Sequence, residues 1–270
     1  MRVSIKDIAK AAQVSHSTVS RALSDSPLVN AATKARIQRL AREMGYSPDA
    51  IARSLVMQKT HTVGVVVTTI LKRIGMPVVL INNHNKQSGR YTFSVSVDNQ
   101  HGGLLATSHL IQWGHRRIGY VSGPVNHSDD AERLDGYRQA LDEAGIAFDL
   151  ALVVQSNGRL DGGERALRTL AELDEAPTAV FCYNDMTAIG LISEARRAGL
   201  SVPADLAVIG FDDTPMAVHF CSPMTAIAQP QRDMGRQAMD MALTLMAADD
   251  STAPFSDIVV KGKLMVRKTT

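Results

Sequence analysis

Ser4-Ile5-Lys6-Asp7-Ile8-Ala9-Lys10-Ala11-Ala12, then Gln13-Val14, then Ser15-His16-Ser17-Thr18-Val19-Ser20-Arg21-Ala22-Leu23, is the stretch whose reading decides the fold. Ser4 followed three residues on by Asp7 is a capping-box pattern that opens a helix. Ile5, Ile8, Ala9 and Ala12 then recur at helical spacing. Gln13-Val14-Ser15 interrupts the pattern, and Ser15 can cap a second helix from His16 to Leu23 whose inner face is Val19, Ala22 and Leu23. Ser24-Asp25-Ser26-Pro27 is loop chemistry. Asn30 can cap a third helix with Ile37, Leu40, Ala41 and Met44 inward and Gly45 as its stop. Two short helices across a tight turn, braced by a third, make a helix-turn-helix head.

The outward face of the second helix offers His16, Ser17, Ser20 and Arg21, with no acid among them. An acid would repel phosphate, whereas Arg can fork onto guanine and Ser or His can meet phosphate or base edges. His16 and Ser17, at the N-terminal end, would reach a major groove first. The alternative for the same pattern is a small helical cap with a polar face.

These residues carry a specific resemblance. Ile5-Lys6-Asp7-Ile8-Ala9, Val14-Ser15 and Thr18-Val19-Ser20-Arg21-Ala22-Leu23 resemble the N-terminal signature of the lactose-repressor (LacI) family. The match continues through Thr33-Lys34-Ala35-Arg36-Ile37 and Met44-Gly45-Tyr46-Ser47-Pro48. The resemblance implies that Ser15, His16, Ser17, Ser20 and Arg21 contact operator DNA, with Ser4 and Ser24 as flanking contacts. It also makes residues 47–60 a hinge and linker. There Ser47-Pro48 restarts a short helix, and Leu55, with Ala52 one turn before it, stands where the family wedges a leucine into the minor groove. The eight residues Asp49–Val56 are too few for a free helix to be stable in water; an ordinary linker turn is the alternative.

Charge divides along the same boundary. Residues 1–60 hold 10 Lys/Arg against 4 Asp/Glu, a balance of +6, and residues 61–270 carry −4, which together give the net +2. A basic head on a mildly acidic body suits a polyanionic partner. With 45% hydrophobic and 21% charged residues, the chain can bury a real core. No apolar run reaches membrane-spanning length, and Met1 to Asp7 puts acid and base where a signal peptide needs apolar residues. Cys182 and Cys221 are too few for a disulfide scaffold. The expected setting is the bacterial cytoplasm, at the nucleoid.

From residue 61 the pattern changes to strands alternating with helices. Strands are expected at 63–69, 77–82, 93–97, 117–122, 151–154, 178–183, 206–211 and 225–227. Helices are expected near 103–113, 131–145, 163–173, 186–199 and 234–247. Such alternation implies doubly wound parallel sheets with ligands at the carboxyl ends of the strands. Gly114-His115-Arg116-Arg117-Ile118, Arg133-Leu134-Asp135-Gly136-Tyr137, Asn184-Asp185-Met186-Thr187-Ala188-Ile189-Gly190 and Val208-Ile209-Gly210-Phe211-Asp212-Asp213 resemble the same family's two-subdomain body, which is similar to type I periplasmic sugar-binding proteins. The organisation is thus a head at 1–46, a hinge at 47–60 and an α/β effector-binding and dimerisation body at 61–270.

One hole interrupts the resemblance. Only nine residues, 68–76, the first two of them ending the first strand, lead from the first expected strand to the second, whereas a parallel crossover generally needs a dozen or more. Comparison with the family places a shortfall of some 65 residues near position 70, leaving the first subdomain incomplete. That lobe would keep three strands, 63–69, 77–82 and 93–97, with the helix after Gly103.

Sugars are held by planar polar side chains that reach paired hydroxyls. Arg133, Asn184, Asp212 and Gln229 lie at or just past strand ends, and the resemblance makes them effector contacts along with Asn82. Two departures stand out: Gly158 falls near the usual stacking aromatic, and Gln231 follows Gln229-Pro230 where an aromatic is usual. Structural alternatives remain for Asp212 or Asp213 as helix caps and for Arg133 as the partner of a nearby acid. Gly102-Gly103 and Gly162-Gly163 lack phosphate-cradling spacing, the histidines lack metal-ligand spacing and no nucleophile elbow occurs. His109 and His115 read as surface or cap residues. A non-enzymatic regulator is expected: no cofactor and no metal site, with operator duplex DNA, a carbohydrate-like effector and a second copy of the chain, or a higher assembly, as partners. An effector-blind remnant is the alternative, and a sugar-binding protein without regulatory role is a further one.

Overall fold

The computed structural model describes residues 4–23, 26–44, 46, 78–82, 92–125, 128–219, 222–247 and 256–270. The chain divides into two compact units, Met1–Ile70 and Leu71–Thr270. Among the described residues, no helix is long and apolar enough to cross a membrane.

The first unit is a three-helix head: α1 (Ile5–Ala12), α2 (His16–Leu23) and α3 (Ala31–Glu43). Each expected cap is present. Ser4 and Asp7 form the reciprocal capping box, the Thr18 amide donates to Ser15 Oγ at 3.1 Å, and the Thr33 amide donates to Asn30 Oδ1 at 2.8 Å. Gln13 turns the chain out of α1 in the left-handed region, φ 53°, so that the Val14 amide reaches back to the Ala9 carbonyl. Ile8, Val19, Ala22, Ile37 and Ala41 fill the core, with Leu23, Leu40 and Met44 packed at its edge. Arg36 and Gln38 of α3 donate to the carbonyls of Ala12 and Ala22 at 2.6 and 3.3 Å. The third helix thereby satisfies acceptors that the ends of the first two leave open.

The second unit holds two sheets. β1 (Val78–Ile81), β2 (Thr92–Val97) and β8 (Ile258–Val260) form a small sheet in the order β1-β2-β8, with both pairings parallel. The large sheet uses β3 (Ile118–Ser122), β4 (Val153–Gln155), β5 (Ala179–Cys182), β6 (Ala207–Asp212), β7 (Thr225–Ala228) and β9 (Lys263–Met265). Its order is β4-β3-β5-β6-β7-β9, all parallel except the last pair. The helices between are α4 (Asn99–Gln112), α5 (Ser128–Glu143), α6 (Leu160–Ala171), α7 (Asp185–Arg197), α8 (Pro215–His219) and α9 (Gln231–Ala247). Central β5 is buried on both faces, which explains its unbroken apolar run. Ala179 and Phe181 pack with Leu110 of α4 and Tyr137 of α5. Val180 and Cys182 pack with Leu170 of α6 and Leu191 of α7.

The five helices expected in the body all form, beginning three or four residues earlier than periodicity suggests except α7, which begins one earlier; Asp98 and Asn184 cap α4 and α7, and the expected hinge helix lies outside the described residues. The doubled glycines lie inside helices rather than in loops. A side chain at Gly103 would collide with the Arg133 carbonyl, and one at Gly163 with the Thr187 carbonyl. Glycine is required there so that α4 can touch α5 and α6 can touch α7.

Two expectations need correction. The helix after Gly103 does not stay with the small sheet: Ala106 and Leu110 are buried against the large one. The small sheet is covered instead by α9, whose Met234 and Ala238 meet Val79, Val95, Ile258 and Val260. His109 is buried, with Nε2 2.9 Å from Thr270 Oγ1, and is no surface residue. The short elements β8, β9 and α8 have no counterpart among the expected ones. The expected strand 63–69 and the shortened linker 68–76 lie outside the described residues.

Candidate nucleic-acid interface and effector site

In the head, α2 buries Val19 and Ala22 and leaves His16, Ser17, Ser20 and Arg21 exposed. No acidic residue sits in its first turn, and Arg21 lies in its last. Ser15 begins this face and is already engaged within it. Its Oγ accepts from the Thr18 amide and lies 2.8 Å from both Ser17 Oγ and Thr18 Oγ1. Ser4 is likewise occupied, donating to Asp7 from its hydroxyl at 2.7 Å and its amide at 2.9 Å. These bonds hold the Asp7 carboxyl below its usual range. Ser24, Ala52 and Leu55 lie outside the described residues.

In the second unit the expected effector residues gather at the carboxyl ends of parallel strands. Asn82 follows β1, Asn184 follows β5 by two residues, Asp212 ends β6 and Gln229 follows β7. Asn82 Nδ2 donates to Gln229 Oε1 at 2.6 Å, and Gln229 Nε2 donates to Asp212 Oδ1 at 2.5 Å. Asn82 Oδ1 accepts from the Val97 amide, so its side chain is oriented at both ends. Asn184 caps α7 through Oδ1 and donates from Nδ2 to the Gly158 carbonyl at 2.9 Å.

Arg133 reaches this cluster from α5 and is only 3% exposed. Its guanidinium lies between two rings, 3.7 Å from the centroid of Phe211 and 4.7 Å from that of Tyr183. Nε donates to Asn99 Oδ1 at 2.9 Å and one terminal nitrogen to the Tyr183 carbonyl at 2.6 Å. The Asp129 carboxylate is 3.5 Å away and accepts the Tyr183 hydroxyl at 3.0 Å. The salt-bridge alternative for Arg133 therefore describes the longest of its polar contacts. Burial pushes the Asp212 carboxyl up to about 6, against the opposing pull of Arg133 and Gln229. Neither Asp212 nor Asp213 is engaged as a helix cap: Asp212 holds Gln229, and Asp213 forks onto Arg267 at 2.6 and 3.0 Å.

Residues 4–49 match the lacI family of bacterial regulatory proteins, and residues 107–270 match the periplasmic binding protein-like domain. The second match covers more than half of the chain. With a relative 31% identical over 90% of it, the chain belongs to the LacI family of bacterial regulatory proteins. Among curated relatives, the HTH-type transcriptional repressor CytR of Escherichia coli K12 is 31% identical over 90% of this chain and 89% of its own length. The cellobiose complex of the transcriptional regulator CelR is similar at TM-score 0.65 and 25% identity, covering 100% of both chains. The lac repressor dimer bound to operator and an anti-inducer shares the fold at TM-score 0.81 and 20% identity, covering 100% of this chain and 99% of that one.

The CytR alignment has 305 positions but takes up 90% of this 270-residue LacI-family chain, which leaves about 62 positions open on this side. That shortfall carries more weight than linker length. Parallel neighbours β1 and β2 are joined by only ten residues, 82–91, so a short connection does not by itself signal a deletion.

Several participants escape a reading of this family member's sequence. Asp129 is within reach of one, from its spacing of four residues before Arg133 on one helix, which places both on one face. Tyr183 precedes Asn184 at a strand end, where side chains meet a ligand cleft. Asn99 and Asp185 give no such signal. Each follows a helix cap directly, and only the packing of α4 and α7 turns them inward.

Proposed function

We propose that this LacI-family chain is a transcriptional repressor that binds a palindromic operator as a dimer and responds to a small carbohydrate-like effector. It acts by binding rather than by catalysis, in the bacterial cytoplasm. The reading face is Ser4, Ser15, His16, Ser17, Ser20, Arg21 and Ser24, with Ala52 and Leu55 in the hinge. The effector cluster is Asn82, Arg133, Asn184, Asp212 and Gln229. The shortfall lies near position 70, in the first lobe of the body.

The exposed, acid-free face of α2 carries the reading: an isolated polar cap would have no reason to exclude acids from that one face. Operator selection from random duplexes, followed by anisotropy, tests it. Arg21→Ala should lose about 1–3 kcal/mol on the selected site and much less on random DNA. Equal loss on both would remove its assigned role. Leu55→Ser should reduce DNA bending in a circular-permutation assay and leave the melting of the body unchanged.

One observation favours the effector-blind reading. The Asn82–Gln229–Asp212 side chains are already hydrogen-bonded to one another, so an effector that takes those same donors and acceptors gives back bonds that the empty site has made. Calorimetry against a panel of mono- and disaccharides separates the two.

A further inference from the structure

Asp185 is the first residue of α7 and is completely buried. One carboxylate oxygen, Oδ2, accepts the Thr214 amide at 2.7 Å. Oδ1 finds no hydrogen-bond donor among the described residues. It lies against Gly210 of β6, where a β-carbon would stand 2.6 Å from it, so glycine makes the room that the carboxylate fills.

What this carboxylate touches is a strained turn. Asp212 and Asp213 both sit at positive φ, 114° and 56°, a conformation that non-glycine residues rarely adopt and hold only where neighbours enforce it. Arg267 clamps Asp213 from one side. The Thr214 amide, pinned by Asp185, clamps the following residue from the other. Directly before the two clamped residues, the Asp212 side chain is presented to Gln229.

We propose that Asp185 is a positioning residue for effector recognition: from beneath the β6–α8 turn, its carboxylate holds Thr214 and so fixes the orientation in which Asp212 meets an effector hydroxyl. This rests on the effector reading above. It adds a residue that does not touch the ligand and that sets whether Asp212 can.

The surroundings make the clamp responsive to pH. Burial pushes the Asp185 carboxyl up to about 7, the Thr214 amide opposes that rise, and the charges of Asp212 and Asp213 add to it. Arg267 faces the same turn but is committed to Asp213. On the β5 side, the buried Cys182 thiol is itself pushed up and stays neutral.

Three measurements test the proposal. In the unmodified protein, the Thr214 amide resonance should shift between pH 5 and 9 with the midpoint of Asp185. No shift overturns the pH response of the clamp, and the exchange measurement then decides the clamp itself. In hydrogen exchange at one fixed pH, Asp185→Ala should exchange Thr214 at least tenfold faster, and Asp185→Asn, which keeps an acceptor oxygen, should remain within about threefold of the parent. Unchanged protection in Asp185→Ala overturns the assignment. Calorimetry with ribose, glucose and cellobiose completes it: a sugar that binds the parent should bind Asp185→Ala at least tenfold more weakly and Asp185→Asn about equally. Equal affinity of the parent and Asp185→Ala overturns the link to recognition. If none of the three sugars binds the parent, the effector reading fails for them, while the exchange and resonance results still decide the role of Asp185.

Discussion

Arg133 concentrates more of the body's polar chemistry than any other single side chain among the described residues. Two rings cover its faces, and Asn99, Asp129 and the Tyr183 carbonyl take its edges. Replacing it with alanine removes the donor that Asn99 Oδ1 and the Tyr183 carbonyl use and opens a hole beside the rings. Arg133→Ala should therefore cost about 3–5 kcal/mol of unfolding free energy, read from urea denaturation of the body. A loss below about 1 kcal/mol would mean that the guanidinium is far less committed than its contacts imply. Asp185 makes an opposite, pH-dependent contribution. Its carboxyl is raised from 3.8 to about 7 on folding. The neutral form is thus favoured in the folded state, and the stability present below pH 4 is lost as pH climbs towards 7. The loss is at most about 4 kcal/mol. Asp185→Asn cannot ionise, so its Tm relative to the parent should improve steadily between pH 4 and 7 and then level off. Parallel Tm curves would show that Asp185 does not titrate in that window.

At the scale of elements, the head shows how closely reading and capping are combined. Resemblance assigns Ser15 to DNA, yet its hydroxyl holds the first turn of α2. Ser15→Ala should destabilise the isolated thermal transition of the head by about 0.5–2 kcal/mol in the absence of DNA. Ser15→Asp, which restores a capping oxygen, should recover that stability while weakening DNA binding through its charge. Failure of Ser15→Asp to recover stability would place the value of Ser15 elsewhere. Helix and strand positions in this chain are legible because their patterns are local: caps at Ser4, Ser15 and Asn30, and unbroken apolar runs in β5 and β6. β8 and β9 are not, because both are short and are placed only by the chain's return to distant strands.

At the scale of the whole molecule, the shortened alignment bears on how the body works. A ligand can move a two-lobed protein only by its differential affinity for two arrangements of the lobes. The small sheet supplies just one of the expected contacts, Asn82, while Arg133, Asn184, Asp212 and Gln229 all come from the large-sheet layer. Sugar binding should accordingly be weak, and dimerisation less firm than in a relative without the shortfall. Calorimetry with sedimentation on the same sample measures both. Micromolar binding abolished by Arg133→Ala, from a stable dimer, would show that the remaining scaffold suffices.

The head, the alternation of strands and helices, and the residue types at strand ends were determined by sequence alone, because caps, periodicity and turn chemistry act over a few residues. Tertiary structure decided the rest. It moved α4 to the large sheet and α9 to the small one, buried His109 against Thr270, and turned Asp185 beneath the β6–α8 turn. Those outcomes depend on which apolar surfaces and which unpaired polar groups meet across the fold. Such meetings join residues dozens of positions apart, a distance over which no local pattern in the chain carries information.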